Sequence, residues 1–158
     1  MNPCPCGYAD EDRCQCHSEQ IKRYLARLSG PLIDRIDMQV KMSRLPPALL
    51  SLSNKQYQEN SAKIRLRVSE ASNRQLQRQN KFNHALRVAE LNQYAQLEPS
   101  AQALLDKLMV KLNLSARAYH RVLKVALTIA DLENCPTIQE GHISEAFGFR
   151  CLDRGGHE

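Results

Sequence analysis

The sequence predicts a mainly α protein, and three observations carry that expectation. Apolar residues recur at helical spacing through 99–112 and 116–132. Residues that start and stop helices bracket those runs. One stretch alone, 36–42, alternates apolar and polar residues as a strand does, at Ile36, Met38, Val40 and Met42. With 158 residues, 42% of them hydrophobic, the chain is long enough to bury a core without disulfides.

Residues 1–17 are rich in turn formers and cysteine. "SEQIKRYLARLSG" then predicts a helix capped by Ser18, with Ile21, Tyr24, Leu25 and Leu28 on one face and Gly30 as its stop. The strand at 36–42 follows, and a lone strand needs partners from elsewhere. Pro46 and Pro47 mark a linker, placed at 46–56 between an N-terminal piece, 1–45, and a helical domain, 57–154. From Gln58 to Asn80 the chain is helical and basic, with Lys63, Arg65, Arg67, Arg74 and Arg78 against Glu59 and Glu70. Ile64, Val68 and Ala71 give this helix a narrow packing stripe.

A shorter helix is expected within "KFNHALRVAELNQYAQL". Pro99 suits a first helical turn, and Ala101, Leu104, Leu105, Leu108 and Leu112 continue that helix. Ser115 caps the next, whose buried side runs through Ala118, Val122, Val125, Ala126 and Ile129 to Leu132. Cys135 and Pro136 end it. A last helix spans 139–152, with Thr137 and Glu140 placed as a capping box.

Cys4, Cys6, Cys14 and Cys16 form two C-x-C pairs around a short polar loop. Zinc takes four soft ligands in a tetrahedron at about 2.3 Å per sulfur, and Pro3, Pro5 and Gly7 stiffen turns that can aim such ligands. The spacing departs from the commoner C-x-x-C, so reduced free thiols and a disulfide stay open as alternatives. His17 is an alternative ligand. Cys135 and Cys151 read as small core residues.

The net charge of +5 and isoelectric point near 9.0 lean toward a polyanionic partner such as nucleic acid, or describe a basic surface without one. No apolar run nears the ~18 residues of a membrane span, and no basic-then-apolar leader opens the chain. The expected compartment is the cytoplasm, where thiols stay reduced.

Three stretches together, "MNPCPCG", "LSGPLIDRIDMQV" and "LNLSARAYHRVLKVALTIADLE", resemble the C-terminal part of magnesium-chelatase-like AAA+ ATPases of the ComM/YifB type. That group is similar in its ATPase core to the MCM helicases and the magnesium-chelatase motor subunit. The likeness covers about residues 2–153 and implies a helical lid domain preceded by a partial piece of the α/β core. It implies that Asn2 is the sensor-1 residue, Arg35 in "DRID" the arginine finger, and Arg117 in "LSARA" the sensor-2 residue that also binds nucleotide. It implies that 36–42 is the last core strand and that the cysteines are an insertion.

The chemistry suits these residue types. Phosphoryl transfer is accelerated by cations around the transferring group, and a guanidinium forks onto two oxygens. Each residue keeps a plainer reading. Asn2 would be an Asx turn, Arg35 a surface pair with Asp34 or Asp37, and Arg117 a solvated residue. His120 and Arg121 are taken as ordinary surface or core-edge residues.

The chain departs from the family pattern in having no G-x-x-x-x-G-K-[ST] loop. It is therefore expected to be a fragment that does not hydrolyse ATP alone. ATP and Mg²⁺ belong to the longer protein, and zinc to the cysteines. The implied activity is a hexamer acting on DNA, as a helicase or branch-migration factor in uptake and recombination of foreign DNA. The alternatives are a chelatase-like or protein-remodelling ATPase, and a stand-alone zinc-containing nucleic-acid-binding module.

Overall fold

Asparagines end three of the helices, and each adopts the left-handed conformation that most side chains avoid: Asn80 (φ 54°), Asn113 (φ 47°) and Asn134 (φ 59°). The computed structural model of the chain describes residues 4–8, 13–27, 30–33, 35–40, 42 and 59–150. It divides into two units, Met1–Ile36 and Asp37–Glu158. The expected domain limits at 45 and 56 fall outside the described residues, as do Asn2, Asp34 and Cys151.

The first unit holds the cysteine segment and two short helices, α1 (Ser18–Leu25) and α2 (Gly30–Ile33). The cap of α1 is His17 rather than Ser18. Its backbone N–H donates to Gln20 Oε1 at 3.1 Å, so the side chain that closes the first turn belongs to glutamine. Gly30 does not stop α1, which ends at Leu25; it opens α2 instead.

The second unit contains α3 (Ser61–Gln79), a 3₁₀ turn (Asn83–Ala85), α4 (Val88–Tyr94), α5 (Pro99–Lys111), α6 (Ala116–Leu132) and α7 (Glu140–Gly148). Helix α6 is the centre. Its Ala118, Val122, Leu123, Ala126, Leu127, Ile129 and Ala130 are buried, and α3, α4 and α7 pack on it. Leu105 of α5 and Ile143 and Phe147 of α7 complete the core. Val125, expected inside, is only half-buried, on the side where α6 borders a cavity.

Several expectations fail for local reasons. The expected strand at 36–42 does not form among the described residues. Only Gln39 pairs, in an isolated parallel bridge to Arg150, with its N–H on the Phe149 carbonyl at 2.7 Å. With no ladder to enter, Met38, Val40 and Met42 are exposed. Helix α3 was expected to pack on Ile64, Val68 and Ala71. Residues 61–70 are all exposed, and packing begins at Ala71, continuing through Gln75 and Gln79.

The helix expected across 81–97 is broken. Leu86 and Arg87 are extended between the 3₁₀ turn and α4, because buried Asn83 anchors the turn to its neighbours. No box joins Thr137 to Glu140. Gln139 is the N-cap of α7, its N–H donating to His142 Nδ1 at 3.0 Å, while Thr137 donates to Glu98 at 3.1 Å.

Ser115 does cap α6, its Oγ accepting from the Ala118 N–H at 3.2 Å. The α6 exit is a Schellman turn, with the Cys135 N–H on the Ala130 carbonyl at 2.8 Å. The Leu114 N–H on Met109 at 3.1 Å closes α5 in the same way. No described helix is long and apolar enough to cross a membrane.

Candidate functional site

The four cysteines expected to gather do so. Cys4 Sγ lies 3.3 Å from Cys6 and 3.9 Å from Cys14, and Cys6 lies 3.7 Å from Cys14. Cys16 joins them, all four sulfurs lying within 4.8 Å of one another. A tetrahedron with arms of about 2.3 Å has edges of about 3.8 Å, so this spacing fits zinc. It does not fit a disulfide, whose S–S separation is about 2.05 Å.

The turn that sets the first pair is built by Gly7, at φ 80°, whose N–H donates to the Cys4 carbonyl at 3.1 Å. The Tyr8 backbone amide and the Cys4 thiol draw the Cys6 pKa down to about 6. On Cys16 the Cys6 backbone amide acts in the same lowering sense. It is outweighed by the Cys6 sulfur, by burial and by Cys4, which together push Cys16 up to about 11. Cys4 is fully buried, and His17 is not among the converging ligands.

Arg35, the expected finger, is exposed in the first unit, its N–H donating to the Leu32 carbonyl at 3.0 Å. Asp37, one of its two candidate partners, is held by Arg121 instead. Arg117 stands in the first turn of α6, in the second unit, exposed, and no described carboxylate pairs with it. A cation there opposes the helix dipole, so its position is not explained by helix stability.

Arg117 lines a cavity of about 630 Å³. The lining also includes His120, Arg121 and Lys124 of α6, His84, the acids Asp37 and Glu145, and apolar Leu86, Val125 and Ile129. Asp37 holds Arg121 and the His84 carbonyl accepts from Lys124 at 2.9 Å, so Arg117 is the lining guanidinium with no described carboxylate partner, and its chemistry suits a phosphate. Arg121 and His120, taken as ordinary surface or core-edge residues, also line this cavity. The signal was present: positions 117, 120, 121 and 124 follow helical spacing on one face.

The basic stretch at 63–87 is only in part a free cationic face, since Lys63, Arg65 and Arg87 are exposed with no described ion pair. Arg78 pairs with buried Asp131 and Arg74 donates to the Asp131 carbonyl at 2.7 Å. Arg67 pairs with Glu59 at 2.9 Å and Lys81 with Glu90 at 2.6 Å. A second cluster, Glu133, Cys135 and His142, has metal-like spacing. Its chemistry is different. The Gln139 N–H points at His142 Nδ1, so the neutral ring carries its proton on Nε2 and donates it to Glu133 at 3.0 Å. A metal would need that nitrogen's lone pair.

The described residues form a helical domain and a separate cysteine-rich unit. Residues 58–150 match the family described as magnesium chelatase, subunit ChlI C-terminal, and residues 1–50 match magnesium chelatase, subunit ChlI. The chain belongs to this magnesium chelatase family. It is 41% identical over 154 residues to the uncharacterized protein YifB of Escherichia coli (strain K12), covering 98% of this chain and 30% of that protein. To the competence protein ComM of Haemophilus influenzae it is 38% identical over 154 residues, with the same 98% and 30% coverage. An uncharacterized protein of Mycobacterium tuberculosis (strain ATCC 25618 / H37Rv) is 36% identical over 156 residues, covering 94% of this chain and 30% of the relative. The chain thus spans about 30% of the length of the curated relatives it matches.

Proposed function

We propose that the chain is the lid and adjoining core segment of a hexameric, cytoplasmic AAA+ ATPase that acts on DNA, as a helicase or branch-migration factor. The observation that carries this reading is Arg117. An exposed guanidinium with no described carboxylate partner, set against its own helix dipole, fronts a cavity whose other cations, Arg121 and Lys124, are held by Asp37 and the His84 carbonyl. That is the chemistry of a lid closing on nucleotide phosphates. The residues of this chain cover the lid side and the edge of the core. ATP bound with Mg²⁺ would supply the phosphoryl group, and the phosphate-cradling loop is absent from this sequence. Arg35 acts as the finger toward a neighbouring subunit, and Asn2 orients the attacking water. Zinc is held by Cys4, Cys6, Cys14 and Cys16 and fixes the first unit. Similarity to a protein named for competence favours DNA over a chelatase cargo.

The test uses the longer protein. Arg35→Ala should leave nucleotide binding nearly intact and cut ATP turnover about a thousandfold or more. Arg117→Ala should cut turnover and weaken nucleotide binding. Mixing Arg35→Ala protein with protein dead in the phosphate loop should restore activity, because one hybrid interface joins an intact loop to an intact finger. Mixed rings that form and stay dead remove the finger assignment, and turnover indifferent to added DNA removes the DNA reading.

A further inference from the structure

The cavity between the cysteine knuckle and α1 belongs to neither the ATPase residues nor the metal site. It is an open cleft of about 360 Å³ lined by Pro5, Gln20, Arg23, Tyr24 and Arg27. All five lie in the first unit, and ligand clefts begin at about 300 Å³. We propose that this cleft binds a single nucleic-acid strand, with phosphates on Arg23 and Arg27 and a base stacked on Tyr24. The proposal deepens the reading above and rests on it for the class of ligand.

Arg23 lies in the last turn of α1 and Arg27 in the turn just past its end, and both line the cleft and are exposed. No described carboxylate forms an ion pair with either. The only acid within α1, Glu19, sits at its N-terminal turn. A chain of phosphates spans such a pair better than any single anion. Tyr24 lines the same cleft and is half-buried, so its ring is held while one part stays accessible. Pro5 supplies a second flat wall, and Gln20 a donor and an acceptor at the rim.

Cations alternating with an aromatic platform are the means by which unpaired strands are held without base-edge readout. A duplex offers phosphates but hides its base faces, so the cleft favours single strands. Pro5 stands between Cys4 and Cys6, so the fold of the knuckle sets the position of that wall.

The test is fluorescence anisotropy of the whole chain with a labelled thymidine homopolymer of about twenty nucleotides, between roughly 50 and 200 mM salt. Arg23→Ala with Arg27→Ala should weaken binding at low salt at least tenfold. It should also lower the slope of log affinity against log salt by about 1.4, the value for two single-strand phosphates. Tyr24→Ala should weaken binding roughly five- to hundredfold and Tyr24→Phe should not. Metal content and melting temperature measured on each variant exclude collapse of the knuckle, and the phenylalanine variant keeps the test alive should alanine unfold it. Unchanged affinity in the double arginine variant overturns the proposal. So does equal affinity for a matched duplex, for a polyglutamate, or for inorganic phosphate as competitor at constant ionic strength. The two readings separate cleanly. DNA-stimulated turnover with arginine-independent strand binding sinks the cleft alone, and arginine-dependent binding without stimulated turnover sinks the motor alone.

Discussion

Arg78 grips Asp131 with both terminal nitrogens, Nη1 on Oδ1 at 2.6 Å and Nη2 on Oδ2 at 3.0 Å, and so joins α3 to the end of α6. The carboxylate is 2% exposed and also accepts from Asn83 Nδ2 at 2.8 Å. Asn83 in turn donates its N–H to Gln75 at 3.0 Å and accepts from Gln79 at 2.8 Å. Gln79 is thereby matched at both ends and Gln75 at its Oε1.

Removing one member should be costly because it strands a buried charge. Arg78→Ala should lower unfolding stability by roughly 3 kcal/mol, the low end for a broken buried pair, since the arginine itself is 26% exposed. Arg67→Ala is the control. Its pair with Glu59 is about half exposed on both sides and should cost under about 1 kcal/mol. Urea unfolding followed by circular dichroism reads both, and equal losses would contradict the network.

The core prediction separates two valines on one helix. Val122 is 1% exposed, whereas Val125 is half-buried and borders the open cavity. Val122→Asp should unfold the second unit, because an unpaired buried carboxylate costs more than a margin of about 5–15 kcal/mol allows. Val125→Asp should leave it folded, with the new carboxylate reaching water and the nearby Lys124. Matching melting curves for the two variants would mean that the cavity face is not open.

This pair also shows how far the sequence could be read. Periodicity found α5 and α6 nearly to the residue and marked Val122, Ala126 and Leu105 as core. It could not tell Val125 from Val122, since both fall on the apolar face and only the neighbours decide which is covered. The cysteine cluster was legible because four ligands in thirteen residues can converge locally. The fate of Arg74 and Arg78 was not, because their partner Asp131 lies on a distant helix that looks apolar in sequence. Among the described residues of 36–42 only Gln39 bridges, because alternation specifies a pleat but hydrogen-bonding partners, expected outside this chain, make a strand.

Glu90 gives a pH signature. Lys81, at 2.6 Å, and the Arg87 backbone N–H, at 2.8 Å, hold its carboxyl below its ordinary value. A carboxylate whose folded pKa is depressed contributes stability above its unfolded pKa of about 4.3 and loses it as pH falls through the folded value. Glu90→Gln should therefore lower the denaturation midpoint near neutrality. The gap from the parent should close in acid below that folded value. A gap of constant size across the range would show that the charge contributes nothing and that only the helix-capping bond matters.

The metal prediction joins the sulfur geometry to protons. Sulfurs 3.3–3.9 Å apart bracket the ~3.8 Å edge of a zinc–thiolate tetrahedron, and the four lie within a single turn-rich segment. Protein purified under reducing conditions without chelator should carry about one zinc per chain. Cys→Ser at 4, 6, 14 or 16 should weaken retention, while His17→Ala should keep the metal, because His17 caps α1 and does not converge with the sulfurs. Zinc must displace the protons that remain on the thiols. Cys6, near 6, is already largely thiolate at neutrality, whereas Cys16, near 11, is not. Loading at neutral pH should thus release protons, and affinity should fall as pH falls. Elemental analysis settles occupancy, and an unbuffered indicator titration with zinc reads the protons. A chain free of metal, whose four thiols react with a thiol reagent equally fast with and without added zinc, would leave the cluster as reduced cysteines and nothing more.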